Sequence, residues 1–256
     1  ARRGEIYHRA GQHGEALANF RRAAQLDPDN LAALSGAGVC LMLARDWEGA
    51  IPWLTRAIRI HPKDASLRVE RALCFENLER YDEAVADLDI ANTLAPDDEE
   101  SLYARGRCRP ESRRTEAIAD YTRALEIGPG RADIWMARGR AHLENRALDE
   151  ALEDFDAALA LLERAPLPDA QMAELHHERA DALRGLQRDE DAAAAEARAV
   201  EHAPEVALYW SWRGMVRSRV EGLSHLAEAD VTRAISLAPS DPVMRFNRAI
   251  YYEYVE

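Results

Sequence analysis

The sequence predicts an all-α protein built from helix–turn–helix repeats, and two regularities in its 256 residues carry this prediction. Prolines recur at a spacing of 34 residues in the first part of the chain, and further prolines extend the series: Pro28, Pro62, Pro96, Pro129, Pro204 and Pro239. A run of the form Ala-x3-bulky-x2-Ala precedes most of them, as in Ala16, Phe20 and Ala23. No segment sustains the apolar–polar alternation of a half-buried strand. A fixed period of this length is typical of stacked helix pairs, in which each repeat packs only on its neighbours.

The composition restricts the functions that the chain can serve. Its net charge is −13, so we expect no nucleic-acid partner, since phosphate binding needs a basic surface. No run approaches the roughly 18 apolar residues of a spanning helix, and we expect no membrane insertion. The chain shows no signal peptide and begins with Ala1 rather than Met, so we expect the true N-terminus to be missing.

The repeats can be aligned by numbering each one so that its proline is position 32, with a first helix (A) and a second helix (B). A small residue then falls at or beside position 8, and a bulky residue at position 11 packs on position 24. The small residues include Gly4, Gly38, Gly106, Gly139 and Gly214. We expect Asp46 and Asp82 to be the N-caps of their B helices, because a carboxylate there accepts a hydrogen bond from a free backbone N–H. Each proline ends helix B before the next A helix begins.

This alignment divides the chain into seven repeats and a partial eighth. The predicted bounds are 1–30, 31–64, 65–98, 99–130, 131–168, 169–205, 206–240 and 241–256. Because both ends lie inside a repeat, we expect the chain to be part of a longer polypeptide.

The chain departs from the period at three places, and the two at Pro110 and at 164–169 predict irregular stacking. Pro110 should shorten the A helix of the fourth repeat, because proline lacks the backbone donor. The excess residues before Pro204 lie around 164–169, where we expect a longer helix B followed by a kinked link. A single extra residue lies near Gly222.

The three cysteines, Cys40, Cys74 and Cys108, also follow the 34-residue period. Equivalent residues on stacked helices lie roughly 8–10 Å apart, too far for a disulfide or for shared zinc ligation. We therefore interpret them as buried small residues with free thiols. Free thiols favour a reducing compartment, and the sequence predicts a cytoplasmic protein.

Arginine recurs at position 7, and aspartate recurs at position 23 on helix B of the same repeats. The four matched pairs are Arg71 with Asp87, Arg105 with Asp120, Arg138 with Asp154, and Arg213 with Asp230. A ladder of arginines is also a possible anion site. Co-occurrence within repeats instead favours structural ion pairs between helices A and B. The sixth repeat carries Arg179 with Ala195, so Arg179 should lack an acid.

No catalytic motif is visible. The sequence contains no HExxH zinc motif and none of the glycine-rich phosphate or nucleophile motifs. The adjacent His176 and His177 point about 100° apart on a helix, and we expect solvated histidines. The sequence predicts a protein that is not an enzyme and that uses no cofactor or metal.

The whole pattern resembles the tetratricopeptide repeat, W-x2-L-G-x2-Y…A-x3-F…P. The resemblance runs through Trp135, Gly139, Ala151 and Phe155 in the fifth repeat, and through Trp210 and Gly214 in the seventh. It implies a right-handed superhelical solenoid, with the A helices lining a concave groove and the B helices on the convex side. Co-chaperone members of this family hold a C-terminal carboxylate with lysine, arginine and asparagine at defined positions of helix A. The corresponding places here hold mostly other residues (Ala1, Glu5, Gly36, Ser66 and Glu70), and Asn247 alone matches, so such a carboxylate clamp is not expected.

The groove should be lined by positions 2, 5, 6, 9, 12 and 13 of the A helices. Apolar, aromatic and arginine residues at such places are candidate contacts with a bound peptide or helix. They are Tyr103, Arg107, Met136, Arg140, Trp212, Met215, Phe246 and Asn247. The alternative is that several of them merely pack between neighbouring A helices. Acidic groove residues outnumber basic ones, so the partner should be a neutral or basic protein segment.

Two functions remain open at this point. The first is a non-catalytic scaffold that binds a protein segment in the groove. The second is a regulatory or substrate-recruiting arm of a larger enzyme whose catalytic domain lies outside this chain.

Overall fold

The computed structural model of the protein describes residues 1–163 and 166–255, which contain fifteen α-helices and no strand. The prediction of an all-α fold is confirmed. The chain divides into two compact units, Ala1–Pro129 and Gly130–Glu256. The eight predicted repeat boundaries are finer than this division and stay a prediction.

The first unit contains four helix pairs. Their bounds are α1 Arg2–Arg9, α2 His13–Leu26, α3 Leu31–Leu43, α4 Trp47–Ile60, α5 Ala65–Asn77, α6 Tyr81–Leu94, α7 Glu99–Cys108 and α8 Arg114–Ile127, with a 3₁₀ turn at Glu111–Arg113 before α8. Each A helix packs on the following B helix, and the A helices α1, α3, α5 and α7 also contact one another in turn.

The second unit continues the same architecture. Its helices are α9 Ala132–Glu144, α10 Leu148–Leu162, α11 Asp169–Gly185, α12 Asp189–His202, α13 Ala207–Arg217, α14 Ser224–Leu237 and α15 Pro242–Val255. Contacts between A helices link α9 to α11 and α13 to α15.

The core of each repeat forms where helix A crosses helix B. Leu54, Leu88 and Phe155, at position 24 of helix B, are completely buried. A Cβ atom placed on Gly139 would lie 2.8 Å from the ring of Phe155. This close approach explains the small residue at position 8, because a larger one would push the two helices apart.

The turn from helix A to helix B has a fixed conformation. The residue at position 15 has a positive φ in five repeats: Gly11 (73°), Arg45 (57°), Glu79 (58°), Arg146 (61°) and Gln187 (59°). The B helix begins two residues later, and the residue at position 16 is its N-cap residue. Asp46 takes this place and accepts a hydrogen bond from Gly49 N at 3.0 Å, as predicted.

The prediction for Asp82 was wrong. Helix α6 begins at Tyr81, so Asp82 lies in its first turn, and Arg80 is the N-cap residue. The left-handed residue Glu79 ends the preceding turn one residue earlier than the polar pattern suggested.

The structure confirms the effect of Pro110 on helix length. Helix α7 has 10 residues, whereas α9 has 13. It ends at Cys108, and Arg109 is extended (φ −71°, ψ 135°), as expected for a residue that precedes proline.

The expectation for 164–169 holds only in part. Helix α10 has 15 residues, one more than the other B helices, so little of the excess length lies in helix B. Helix α11, an A helix, has 17 residues and takes up more of it. Arg164 and Ala165, which belong to the predicted link, lie outside the described residues.

Candidate binding surface

The A helices of the first unit form a pocket of about 320 Å³. It is lined by Glu5, His8 and Arg9 of α1, by Gly36 and Val39 of α3, and by Glu70 of α5. These residues occupy positions 6, 9, 12 and 13 of their repeats, which are groove positions in the alignment. The residues that the sequence assigns to the groove therefore face a common space in this unit.

Glu70 is the acidic group of this pocket. Its Oε2 atom is buried and has no hydrogen-bond partner among the described residues. Burial raises the pKa of Glu70 to about 7, and the nearby Asp64 carboxylate adds to this effect. The pocket thus contains a carboxyl group that the fold leaves uncompensated.

The four predicted arginine–aspartate pairs are all formed, and in each the two guanidinium nitrogens contact both carboxylate oxygens. Arg71 contacts Asp87 at 2.6 and 2.7 Å, and Arg213 contacts Asp230 at 2.9 and 2.6 Å. The pairs Arg105–Asp120 and Arg138–Asp154 have the same geometry.

These pairs also connect neighbouring repeats. Arg71 donates to Thr55 Oγ1 at 2.9 Å, and Arg105 donates to Asp89 at 2.9 Å. The aspartates are buried and their arginines mostly so, because the guanidinium groups lie between stacked helices. The ladder is therefore structural, and its arginines are not available to bind an anion.

Other arginines connect one A helix to the next along the groove positions of the A helices, which we call the inner surface. Arg107 of α7 pairs with Glu76 of α5. Arg140 of α9 contacts Glu178 at 2.5 Å and Glu174 at 3.3 Å, both on α11. Each of these arginines keeps a little over a third of its side chain exposed, so it can contact a bound segment while it is paired.

The sixth repeat contains a hydrogen-bonded histidine–glutamate pair that the sequence analysis missed. Glu196 occupies position 24, where the other repeats place a bulky apolar or aromatic side chain, and it is completely buried. Its Oε1 atom hydrogen-bonds Nδ1 of His177 at 2.9 Å, whereas its Oε2 atom has no partner among the described residues. Burial raises the pKa of Glu196, and the hydrogen bond from His177 acts against this rise. A glutamate in register with an apolar core position was the feature that could have revealed the pair.

The expectation of solvated histidines was therefore wrong for the adjacent pair on α11. His177 lies against Tyr209 and Trp212, with ring centroids 5.3 and 6.3 Å away. His176 stacks on His202 at 5.7 Å, and burial lowers the pKa of His176 to about 4. The ring of His177 is partly enclosed by α13 of the next repeat, and the ring of His176 by α12 of its own repeat.

Arg179 does not lack an acid. It contacts Asp156 of α10 at 2.6 Å, so the preceding repeat supplies the carboxylate that position 23 of its own repeat does not.

The eight candidate groove residues divide by burial. Four are buried: Tyr103, Met136, Met215 and Asn247. Asn247 donates a hydrogen bond to Ser211 Oγ at 2.9 Å, and Tyr103 packs on Tyr121 with the ring centroids 6.0 Å apart. Asn247 thus packs between neighbouring A helices, which was the alternative left open by the sequence, whereas Tyr103 packs on helix B of its own repeat.

The other four candidates reach the surface. Phe246 is 65% exposed, and Arg107 and Arg140 are partly exposed as described. Trp212 is half-buried, because the Arg184 guanidinium lies 3.8 Å from the centroid of its ring. Arg107, Arg140, Trp212 and Phe246 remain as candidate contacts with a partner.

The cysteines are free and buried, as expected. Burial raises the pKa of Cys74 and Cys108 to about 12, so both are thiols rather than thiolates at neutral pH. The described residues contain no cluster of three or more histidine, cysteine or acidic side chains that could hold a metal ion. No helix in the described part of the chain combines the length and the apolar character needed to cross a membrane.

Comparison with known families gives a consistent assignment. Two family models, both described as tetratricopeptide repeat, match residues 7–68 and residues 54–99 with 111–169. Together they cover more than half of the chain.

Individual relatives are distant. Anaphase-promoting complex subunit 3 of Schizosaccharomyces pombe is 24% identical over 111 residues, which are 43% of this chain and only 17% of that protein. A tetratricopeptide repeat protein from Parabacteroides merdae has a TM-score of 0.64 at 18% identity, with 98% of this chain and 96% of that one covered. YrrB, described as a TPR protein with an unusual peptide-binding site, has a TM-score of 0.63 at 18% identity, over 74% of this chain and 95% of that one. At such identities these structures show the shared fold alone.

Proposed function

Since the chain belongs to the tetratricopeptide repeat family, we propose that it is a non-catalytic scaffold that binds a segment of a partner protein on the inner surface of its A helices. The observation that carries this proposal is the pocket of the first unit, whose lining residues come from the groove positions of three successive repeats. A concave site built from several repeats suits an extended segment, which can contact each repeat in turn.

The charge of the inner surface favours a neutral or basic segment. Its acidic residues include Glu70 and Glu76 in the first unit, and Glu174, Glu178 and Asp181 in the second. Arg107 and Arg140 each already contact one or two of these carboxylates. Glu70 has no such partner, so an acidic segment would meet an uncompensated carboxylate there, whereas a basic one would neutralise it.

A related fold with a peptide-binding site supports the proposal in general terms. YrrB is described as having such a site, and we infer peptide binding here by the same use of the fold. The enzyme-arm alternative requires the same surface, and the complete reading frame would distinguish it from a free-standing scaffold.

Selection from a random-peptide display library on the immobilised protein tests the proposal. We expect enriched peptides with a neutral or basic net charge. Trp212→Ala and Arg140→Ala should each weaken a peptide that binds the second unit by about tenfold or more, as for aromatic and arginine anchors. Arg198→Ala, on the exposed side of α12, is the matched control and should leave the affinity unchanged.

Two outcomes would overturn the proposal. One is a library that yields no binding peptide under conditions in which the protein is folded. The other is a set of peptides whose affinity depends on Arg198 and other exposed residues of the B helices, but not on Arg107, Arg140, Trp212 or Phe246.

A further inference from the structure

We propose that the pocket between α1, α3 and α5 receives the basic side chain, arginine or lysine, of the bound segment, with Glu70 as the counter-ion. This inference rests on the proposed function and adds the chemistry that one part of the surface recognises.

The pocket lies beside a glycine, Gly36, at position 6 of the second repeat. A Cβ atom on Gly36 would lie 2.5 Å from the ring of Phe20, which is the buried aromatic residue of the first repeat. The ring of Phe20 therefore lies directly beneath the backbone of α3 and contributes to the lining. With no side chain at Gly36, α3 approaches the ring closely, and the pocket lies beside this contact, between α1 and α5.

Glu70 occupies the same position 6 one repeat later and faces this space. Its carboxylate has no ion-pair or hydrogen-bond partner among the described residues, and Oε2 is buried. Glu76, on the same helix, shows the contrast, because Arg107 of the next A helix neutralises it. The first unit thus supplies a counter-ion to Glu76 and none to Glu70 among the described residues.

The remaining charges near Glu70 favour a cation. From α1 the pocket receives Glu5, which is partly buried, together with His8 and Arg9. Arg9 is exposed, at position 13 of its repeat. Asp64, which precedes α5, adds a further negative charge close to Glu70. The apolar parts of Phe20 and Val39 can pack on the methylene groups of an arginine or lysine side chain.

The pH dependence of binding follows from the state of the Glu70 carboxyl. Burial, followed by the Asp64 charge, raises the pKa of Glu70 to about 7. A cation binds the ionised form of Glu70. The affinity of the pocket for the cation should therefore be roughly tenfold higher at pH 8 than at pH 6. His8 lines the same pocket, so the measurement is repeated with His8→Gln, in which a Glu70-dependent change is retained.

The test uses the whole chain, labelled with ¹⁵N, and N-acetyl-arginine amide as the probe. The neutral isostere N-acetyl-citrulline amide is the matched ligand control. At pH 8 we expect saturable shifts of the Gly36, Val39 and Glu70 amide signals with a dissociation constant in the millimolar range, as befits a single side chain. Glu70→Gln should weaken binding at least fivefold, whereas Glu83→Gln, on the outer helix α6, should have no effect.

The inference is overturned if citrulline amide binds as well as arginine amide, or if Glu70→Gln leaves the affinity unchanged. It is also overturned if no saturable shift appears up to about 100 mM. The pH series on the unmodified protein provides a second measurement that does not depend on how a variant folds.

Failure of this inference and failure of the scaffold proposal are distinguishable. Library peptides that bind the inner surface independently of Glu70 would support the scaffold proposal and contradict the proposal that the pocket receives a basic side chain. If arginine amide binds through Glu70 but the library yields no peptide, the cation site is supported and the scaffold proposal is contradicted.

Discussion

Glu196 places a carboxyl group at position 24, where the other repeats place a bulky apolar or aromatic side chain. Position 24 fills the crossing of the two helices, and Phe20, Leu54 and Phe155 fill it with apolar volume. A buried carboxylate costs free energy unless a partner neutralises it, and His177 at 2.9 Å is that partner. The pair therefore makes the stability of the sixth repeat depend on one hydrogen bond.

Substitutions on the two sides of this pair should have opposite effects. His177→Ala leaves Glu196 buried without a partner and should lower the free energy of unfolding by about 3 kcal/mol. Glu196→Leu replaces the carboxylate by apolar volume and should be neutral or stabilising by about 1 kcal/mol. Urea unfolding followed by circular dichroism measures both, with His225→Ala, an exposed histidine of α14, as the control. A loss of similar size for Glu196→Leu and His177→Ala would contradict this account.

The titration of Glu70 should also contribute to the pH dependence of the free energy of unfolding. Its pKa is raised in the folded state to about 7 from an ordinary value of 4.5. Between pH 4.5 and pH 7, the carboxyl group is therefore mostly neutral in the folded protein and mostly ionised in the unfolded chain. Its contribution to stability is fully present below pH 4.5 and is lost as the pH rises through 7.

Glu70→Gln should remove this part of the pH dependence. We expect the variant to gain stability relative to the original chain as the pH rises from 5 to 8, on the order of 2 kcal/mol after allowing for partial exposure. Unfolding free energies at the two pH values measure the difference, and Glu83→Gln should show no such gain. Parallel pH profiles for Glu70→Gln and the original chain would show that Glu70 titrates normally.

At the scale of the helices, the turn between A and B shows how a repeat fixes its own geometry. Position 15 is left-handed in five repeats, yet only Gly11 is a glycine. Arg45, Glu79, Arg146 and Gln187 adopt the same conformation at a cost of roughly 1 kcal/mol each, which the packing of the two helices must offset. The turn is therefore set by helix packing rather than by the residue at the turn.

Two neighbouring glycines allow this cost to be measured. Neither Gly11 nor Gly14 would meet another atom within 4 Å if it carried a Cβ, but only Gly11 has a positive φ, of 73°. Gly11→Ala should lower the free energy of unfolding by about 1 kcal/mol through backbone strain. Gly14→Ala, within α2, should raise it by up to about 1 kcal/mol through helix propensity. Thermal unfolding of both variants checks the signs, and two shifts in the same direction would contradict the assignment.

The helices and the arginine–aspartate pairs were predictable because each feature recurs in several repeats. The same two positions hold Arg71 with Asp87 in one repeat and Arg138 with Asp154 in another. Comparing the repeats of this one chain therefore shows that the two residue types occur together. Asp82 was misplaced because a carboxylate near a helix start does not show which residue begins the helix. Helix α6 begins where the left-handed Glu79 ends the turn, and that depends on packing.

The inner surface was less predictable than the helices. Register alone placed Tyr103 and Met136 at groove positions, but their side chains are buried. Burial depends on how closely neighbouring A helices stack, and the period of the sequence does not report that distance. The pocket of the first unit was missed for a similar reason, since it lies beside the close contact of the α3 backbone at Gly36 with the ring of Phe20.

At the scale of the whole molecule, stability should be distributed rather than concentrated in one core. The buried apolar residues form separate clusters, such as the one around Leu54 and the one around Phe155. In a repeat array each cluster depends mainly on the adjacent helices, so a local defect lowers the stability of its neighbours most.

Native-state hydrogen exchange of His177→Ala tests this distribution. The variant removes the partner of Glu196 within the second compact unit, Gly130–Glu256. Amide protection should fall in α11 and α12, and less in α9 and α14, whereas α1 to α4 of the first unit should keep the protection of the original chain. The control is Leu54→Ala, which opens a cavity in the first unit and should reverse the pattern, because Leu54 is completely buried between α3 and α4. An equal loss of protection along the whole chain in both variants would mean that the repeats unfold as one cooperative body, and the two units would then have no separate stability.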